Sequence, residues 1–205
     1  DMHLSACRSL GASVNDNIIL CHSLRGADIN FDKPSVGATV NAILLSATAT
    51  GRTVIRGCAI EPHIDSLIDF LNSAGASIMR NGREVEIFGR ELHGGKIKVI
   101  GDMIEAGSYL ALGIMTGGKI RTHNSPISDM TSVIDALREL GADVVCENDS
   151  ISACLNSGNH LRLTATPYPG FPTDLQPIFA PLMAANMGHR SHLRQRLRGC
   201  GSRHH

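Results

Sequence analysis

The sequence predicts an α/β fold made of repeated units, helices inside and sheets outside, and three observations carry that prediction. Leu10-Gly11-Ala12, Ala74-Gly75-Ala76 and Leu140-Gly141-Ala142 recur 64 and 66 residues apart. The residues eleven, eight, seven and four before Gly75 are Ile64, Leu67, Ile68 and Leu71, and the same offsets before Gly141 give Met130, Val133, Ile134 and Leu137. Each set is one apolar stripe of an α-helix. Short segments such as Val85-Glu86-Ile87-Phe88, Lys96-Ile97-Lys98-Val99 and His160-Leu161-Arg162-Leu163 alternate polar and apolar residues, so one sheet face meets water and the other covers the helices. One folding unit has been copied at least three times.

The elements follow in order. Measured back from Gly11, the first helix has Leu4 and Cys7 on its stripe, and its first apolar position falls at residue zero, so the chain is expected to start inside an element. Gly in each turn suits a helix C-cap at positive φ, and Val14, Ile78 and Val144 each open a strand three residues later. Asn81-Gly82 is a strong hairpin signal, and Asn15-Asp-Asn17 and Asn148-Asp149 occupy the same place in the other copies. A second helix is expected over Ala38 to Ala49 and again over Glu105 to Met115, each ending in Gly and entering a strand, Arg52 to Arg56 and Lys119 to Thr122. The third unit's first helix is expected to start near a Ser128-Asp129 cap. Its second helix is expected over Asp174 to Met187, ending at Gly188, where a strand should follow. Residues 189–205 carry five Arg, four His and two Leu without alternation. They read as a non-native or disordered tail, with His204-His205 the remnant of a tag. A domain boundary is placed near Ile100-Gly101, with residues 1–101 and 102–188 belonging to different domains.

Composition narrows the function. The 205 residues hold 19 basic and 19 acidic side chains, which does not favour non-specific nucleic-acid or anionic-membrane binding. No apolar run approaches the ~20 residues that span a bilayer. The six Cys form no C-x-x-C pair and read as reduced, mostly buried residues of a cytoplasmic protein. No zinc spacing appears among the ten His. Gly113 to Lys119 has most of a P-loop but runs on to Ile120 and into a strand, where no helix aims its amides at phosphate.

Three loops run from a strand into a second helix: Asp32 to Thr39, Gly101 to Ser108 and Pro169 to Gln176. Helix N-termini carry unpaired N–H groups and partial positive charge, so they attract phosphate or carboxylate. The first loop adds the cation Lys33 and the donor Ser35, and so favours an anionic ligand; simple helix capping is the competing reading. The third is stiffened by Pro167, Pro169 and Pro172 and sets Asp174 at a helix start. There the dipole stabilises the carboxylate as an anion, and a held, deprotonated carboxylate can also serve as general base.

Asp32-Lys33-x-Ser35-Val36-Gly37-Ala38-Thr39, Glu61-Pro62, Leu92-His-Gly-Gly95, Asp102-x-Ile104-Glu105-x-Gly107 and Pro167-Tyr-Pro-Gly-Phe-Pro-Thr-Asp-Leu-Gln176 together resemble the enolpyruvyl transferases that act on UDP-N-acetylglucosamine, from Asp1 to about Gly188. The resemblance implies two similar domains of three copies each with the active site between them. Residues 1–101 would be the latter part of the first domain and 102–188 the beginning of the second. It implies transfer of the enolpyruvyl group of phosphoenolpyruvate to the 3-hydroxyl of UDP-N-acetylglucosamine, the first committed step of peptidoglycan synthesis, with no metal or organic cofactor.

Carried over residue by residue, Asp174 matches the acidic residue at the sugar 3-hydroxyl that takes part in proton transfer. Lys33, Ser35, Val36 and Gly37 match the loop that holds uracil and phosphates, and Asp1 and Met2 the end of a segment contacting the uridine. The family's reactive Cys, Lys-Asn pair and phosphoenolpyruvate-binding Arg residues would lie ahead of Asp1, and no Cys of this chain replaces the reactive one. His63 stands where the family has Glu, and Met103 where it has Arg. The chain is therefore expected to be an incomplete enzyme, with uncovered apolar helix faces that allow self-association. The alternatives are the related transferase acting on shikimate 3-phosphate, and a non-catalytic repeat module that binds a nucleotide sugar or a partner.

Overall fold

The computed structural model describes residues 1–15, 18–156 and 158–188. Residues 16–17, 157 and 189–205, including His204-His205, lie outside them. The chain divides into two compact units, one over Asp1–Val99 and one from Ile100 onward.

The first unit opens with α1 (Met2–Ser9), whose N-cap Asp1 accepts the His3 N–H at 2.9 Å. Ala6 and Leu10 are its buried residues, while Leu4 and Cys7 are half-buried. A two-stranded hairpin follows, β1 (Ser13–Asn15) and β2 (Ile18–Leu20). Next come β3 (Asp28–Asn30), α2 (Val36–Ser46), β4 (Arg52–Arg56), α3 (Pro62–Ser73), β5 (Ser77–Asn81) and β6 (Glu84–Phe88). The sheet order is β3-β4-β6-β5; β3 runs parallel to β4 and the other pairs are antiparallel.

Strand parity sorts this sheet into two faces. Ile29, Ile55, Val85, Ile87 and Ile78 point into a core shared with Ala38, Ala42 and Ile43 of α2 and Ile64, Ile68 and Leu71 of α3. The other face carries Arg52, Arg56, Glu84 and Glu86, with Arg52 paired to Glu86 and Arg56 to Glu84 at 2.9 Å. These exposed pairs keep the face solvated and add little stability.

The second unit contains α4 (Met103–Met115), β7 (Lys119–Thr122), a 3₁₀ turn over Ile127–Met130, α5 (Thr131–Glu139), β8 (Ala142–Glu147) and β9 (Ser150–Leu155). A second 3₁₀ turn over Thr173–Leu175 then leads into α6 (Gln176–Gly188). Its sheet is antiparallel, in the order β7-β9-β8. Leu110, Ile114, Met130, Leu137, Leu140, Ile151 and Phe179 are fully buried in its core.

The repeat is plain in the backbone. Gly11, Gly75 and Gly141 adopt φ of 94°, 101° and 98°, the left-handed region that a helix C-cap glycine supplies. Each expected hairpin forms, with Val14 opposite Ile19, Ile78 opposite Ile87 and Val144 opposite Ala153.

Some expectations need correction. Lys96–Val99 and His160–Leu163 alternate as strands do but form none. A strand needs a partner to take its amides, and none of the described strands pairs with either segment. Val99 is 72% exposed, and Leu161 packs into the core without a ladder. The third unit's first helix has no Ser128-Asp129 side-chain cap, because Ser128 Oγ donates to the Asp129 carboxylate and a 3₁₀ turn leads into α5. Likewise a 3₁₀ turn, and no α-helical residue, holds Asp174. The cysteines are less buried than expected: among the free thiols Cys58 is buried, Cys7 and Cys146 half-buried and Cys21 exposed. Cys154 is disulfide-bonded, so the expectation of reduced thiols does not extend to it.

Candidate functional site

In the first unit the site residues gather where α1 meets the start of α2. Ser35 is extended, at φ −141° and ψ 120°. The Ser35 hydroxyl accepts the Ala38 N–H at 3.3 Å, and its carbonyl accepts the Thr39 N–H at 2.9 Å. The helix ladder leaves the Val36 and Gly37 amides unclaimed. Thr39 Oγ1 accepts the Ala59 N–H at 3.0 Å, tying this end of α2 to the loop after β4. Lys33 is exposed and makes no ion pair among the described residues. A free cation, two free amides and the positive end of a helix make a seat for a phosphate or carboxylate.

His3, which spacing did not single out, joins α1 to this seat. Its Nδ1 accepts from Asn41 Nδ2 at 2.7 Å. A Cβ at Gly37 would lie 3.0 Å from His3 Cε1, so glycine is what lets the imidazole lie flush on the helix start. Asp1 is exposed with its carboxylate on the His3 N–H, and Met2 is half-buried against the core. Asp1, Met2, Ser35, Val36 and Gly37 therefore share one neighbourhood. The only sequence signal for His3 was its place beside Asp1 and Met2.

In the second unit a bridged loop carries Asp174. The Thr166 N–H donates to the Phe171 carbonyl at 3.1 Å and the Gly170 N–H to the Pro167 carbonyl at 3.0 Å. Ser132 of α5 donates to the Gly170 carbonyl at 3.1 Å. Below the loop, Phe171 and Phe179 pack edge to face with centroids 5.0 Å apart. Leu175 is fully buried against α4, where Gly107 leaves room for it. Asp174 itself is exposed and makes no hydrogen bond or ion pair among the described residues. An unpaired carboxylate on a rigid support can orient a hydroxyl and take its proton.

The middle loop behaves differently. Asp102 spends its carboxylate on the Ile104 and Glu105 amides, at 2.7 and 3.3 Å, so there the capping reading holds. Cys58 offers no nucleophile: burial pushes its thiol up to about 11, although Arg80, Thr39 and Arg83 pull the other way. No group of three or more His, Cys, Asp or Glu among the described residues is placed to hold a metal ion. No described helix is long and apolar enough to cross a membrane.

The chain matches the family model described as EPSP synthase (3-phosphoshikimate 1-carboxyvinyltransferase) over residues 1–196. It is similar to UDP-N-acetylglucosamine 1-carboxyvinyltransferase 1 of Streptococcus agalactiae, at 40% identity over 202 residues, 93% of this chain and 48% of the relative. It is also similar to UDP-N-acetylglucosamine 1-carboxyvinyltransferase of Desulfovibrio desulfuricans, at 36% identity over 196 residues, 92% of this chain and 47% of the relative. The chain thus spans about half the length of the curated relatives it matches. Among solved structures, the enolpyruvyl transferase NikO from Streptomyces tendae superposes with a TM-score of 0.77 at 21% identity, covering 90% of this chain and 48% of that one. EPSP synthase from Acinetobacter baumannii gives 0.58 at 19% identity, covering 87% and 43%. At such identities the structural likeness is one of fold, and the sequence matches carry the relationship. With its glycine-marked helix–hairpin repeat and a family match across nearly its whole described length, the chain belongs to the EPSP synthase family of enolpyruvyl (carboxyvinyl) transferases.

Proposed function

We infer that this chain is part of an enzyme that transfers the enolpyruvyl group of phosphoenolpyruvate to the 3-hydroxyl of UDP-N-acetylglucosamine, a cytoplasmic step that opens peptidoglycan synthesis. The observation that carries this reading is the seat at the start of α2, where Lys33 and the free Val36 and Gly37 amides suit the diphosphate of a sugar nucleotide. The names and 36–40% identities of the relatives support the same substrate. In this reading residues 1–101 are the latter part of one domain and 102–188 the start of the other. Asp1 and Met2 contact the uridine, and Ser35 and the amides behind Lys33 hold the nucleotide.

Asp174 accepts the proton of the sugar 3-hydroxyl as the hydroxyl oxygen bonds to C2 of phosphoenolpyruvate, while a separate general acid of the completed enzyme delivers a proton to C3. Loss of the C3 proton then expels phosphate by breaking the C2–O bond and restores the double bond. The gain comes from positioning two anions and one hydroxyl in a fixed geometry.

The family model's own description favours a second acceptor, shikimate 3-phosphate. Calorimetry on the chain completed to the length of its relatives separates the two: preference for shikimate 3-phosphate rejects the sugar nucleotide. In the same completed enzyme, Asp174→Ala is expected to lower kcat by about 10²–10⁴-fold with the UDP-sugar Kd little changed. Unchanged turnover removes Asp174 from its role. Phosphate release that stays at background in the completed, unsubstituted enzyme would favour a binding module.

A further inference from the structure

A second loop runs beside the seat at the start of α2. Strands β3 and β4 are parallel, so the loops that leave them lie at one end of the sheet. The Phe31 N–H donates to the Arg56 carbonyl at 2.9 Å, and a Cβ at Gly57 would collide with the Phe31 carbonyl, so the two loops start in backbone contact. The second loop is firmly held. Its Ala59 N–H donates to Thr39 Oγ1 at 3.0 Å, and Arg80 and Arg83 donate to the Ala59 and Cys58 carbonyls at 3.2 and 2.9 Å. It ends at Glu61, which precedes α3 and whose side chain caps nothing. Glu61 Oε2 is buried and has no hydrogen-bond partner among the described residues. Arg80, whose guanidinium reaches this loop, is paired with Asp65 instead. Ser46 Oγ and Thr53 Oγ1 are also buried without a partner, but each is a neutral hydroxyl inside the core. A buried carboxyl oxygen without a donor is far more costly to keep.

We propose that Glu61 is a specificity-determining residue that accepts an O–H or N–H from the sugar of the nucleotide sugar held at α2. The proposal rests on the sugar-nucleotide reading above. Successive residues of an α-helix turn by about 100°, so Gly37 and Asn41 share one side of the first turns of α2 and Thr39 lies on the other. His3 of α1 sits against Gly37 and Asn41, and the Glu61 loop is tied to Thr39. The two neighbours therefore flank the seat from opposite sides. With the diphosphate on the Val36 and Gly37 amides and the uridine on the Asp1–Met2 side, the sugar leaves towards the entrance of α3. Phosphate oxygens carry no donor, so they cannot satisfy Glu61, whereas a sugar hydroxyl or the acetamido N–H can. A site whose buried acceptor stays unpaired until its ligand arrives discriminates strongly against ligands that lack the donor.

Calorimetry on the chain completed to the length of its relatives tests this with two probes, UDP and UDP-N-acetylglucosamine. The unsubstituted enzyme is expected to bind both. Glu61→Ala is expected to weaken UDP-N-acetylglucosamine by about tenfold while leaving UDP within about twofold. Glu61→Gln, which keeps an acceptor oxygen, is expected to recover part of that loss. Equal weakening of both probes puts Glu61 with the uridine or the diphosphate and overturns the proposal, as does no change in either. Thermal melts separate a binding role from a structural one. With no partner to lose, Glu61→Gln is expected to melt at or above the temperature of the unsubstituted enzyme. A drop of more than about 5 °C reveals a structural partner and overturns the role. If the unsubstituted enzyme binds neither probe, the sugar-nucleotide reading fails and this role with it. If it binds both and the Glu61 variants do not tell them apart, only this role fails.

Discussion

The helix entrances at Ser35 and at Asp174 come from the same repeat position and differ in the groups they leave open. At Ser35 an α-helix begins directly, a neutral hydroxyl satisfies one amide, and the neighbouring amides and Lys33 stay open to an anion. At Asp174 a 3₁₀ turn intervenes, the backbone is held by the Gly170 and Thr166 hydrogen bonds and two buried rings, and the exposed Asp174 carboxylate stays unpaired among the described residues. The third case, Asp102, shows what an acidic residue does there by default, which is to cap its own helix. A helix entrance keeps amides spare when its cap is a neutral hydroxyl that takes only one of them. It presents a free carboxylate when the local turn points the side chain away from the amides.

The strongest way to break this comparison is to remove the support under Asp174. Phe179→Ala deletes a fully buried ring and is expected to cost the second unit about 3–5 kcal/mol. Native-state hydrogen exchange at β9 reads it, with β6 as reference, and an unchanged β9 means the rings do not hold the loop. Next in size, Lys33→Ala in the completed enzyme is expected to weaken UDP-N-acetylglucosamine binding by about 1.5–3 kcal/mol, the scale of a charge-assisted hydrogen bond. Calorimetry giving an unchanged Kd would take the anion away from the Ser35 entrance.

The loop behind that entrance contains buried Cys58, whose thiol is raised to about 11. The unfolded chain ionises it first, so stability is whole below about pH 9 and falls on the order of 1–2 kcal/mol by about pH 11. Urea midpoints measured across that window should slope downward in the wild type and flatten in Cys58→Ala; equal slopes refute the assignment. The smallest effects sharpen the capping contrast. Ser35→Ala and Asp102→Ala should each cost about 1 kcal/mol, whereas Asp174→Ala should change stability by less than about 0.5 kcal/mol. Thermal melts that rank Asp174 with the caps would show that it is one.

Much of the fold was legible in the chain. The stripes ending at Leu71 and Leu137 are α3 and α5, and Arg52–Arg56 and Lys119–Thr122 are strands over those very residues. The two strands that failed to form share one cause. Lys96–Val99 and His160–Leu163 have strand-like alternation, but alternation describes side chains and says nothing about who takes the backbone amides. At the site, Ser35 and Asp174 stood out because proline, glycine and capping residues cluster around them. Their supports did not, because His3 meets Asn41 and Ser132 meets Gly170 across 38 residues of sequence in each case.

Sequence by itself determined the unit, its period and the type of most of its elements, since helix and strand periodicities are local and each copy checks the others. Tertiary structure alone decided which strand finds a partner, and which acidic residue caps its helix and which stays free. Those outcomes depend on hydrogen-bond partners and on burial, and both are supplied by residues far away along the chain.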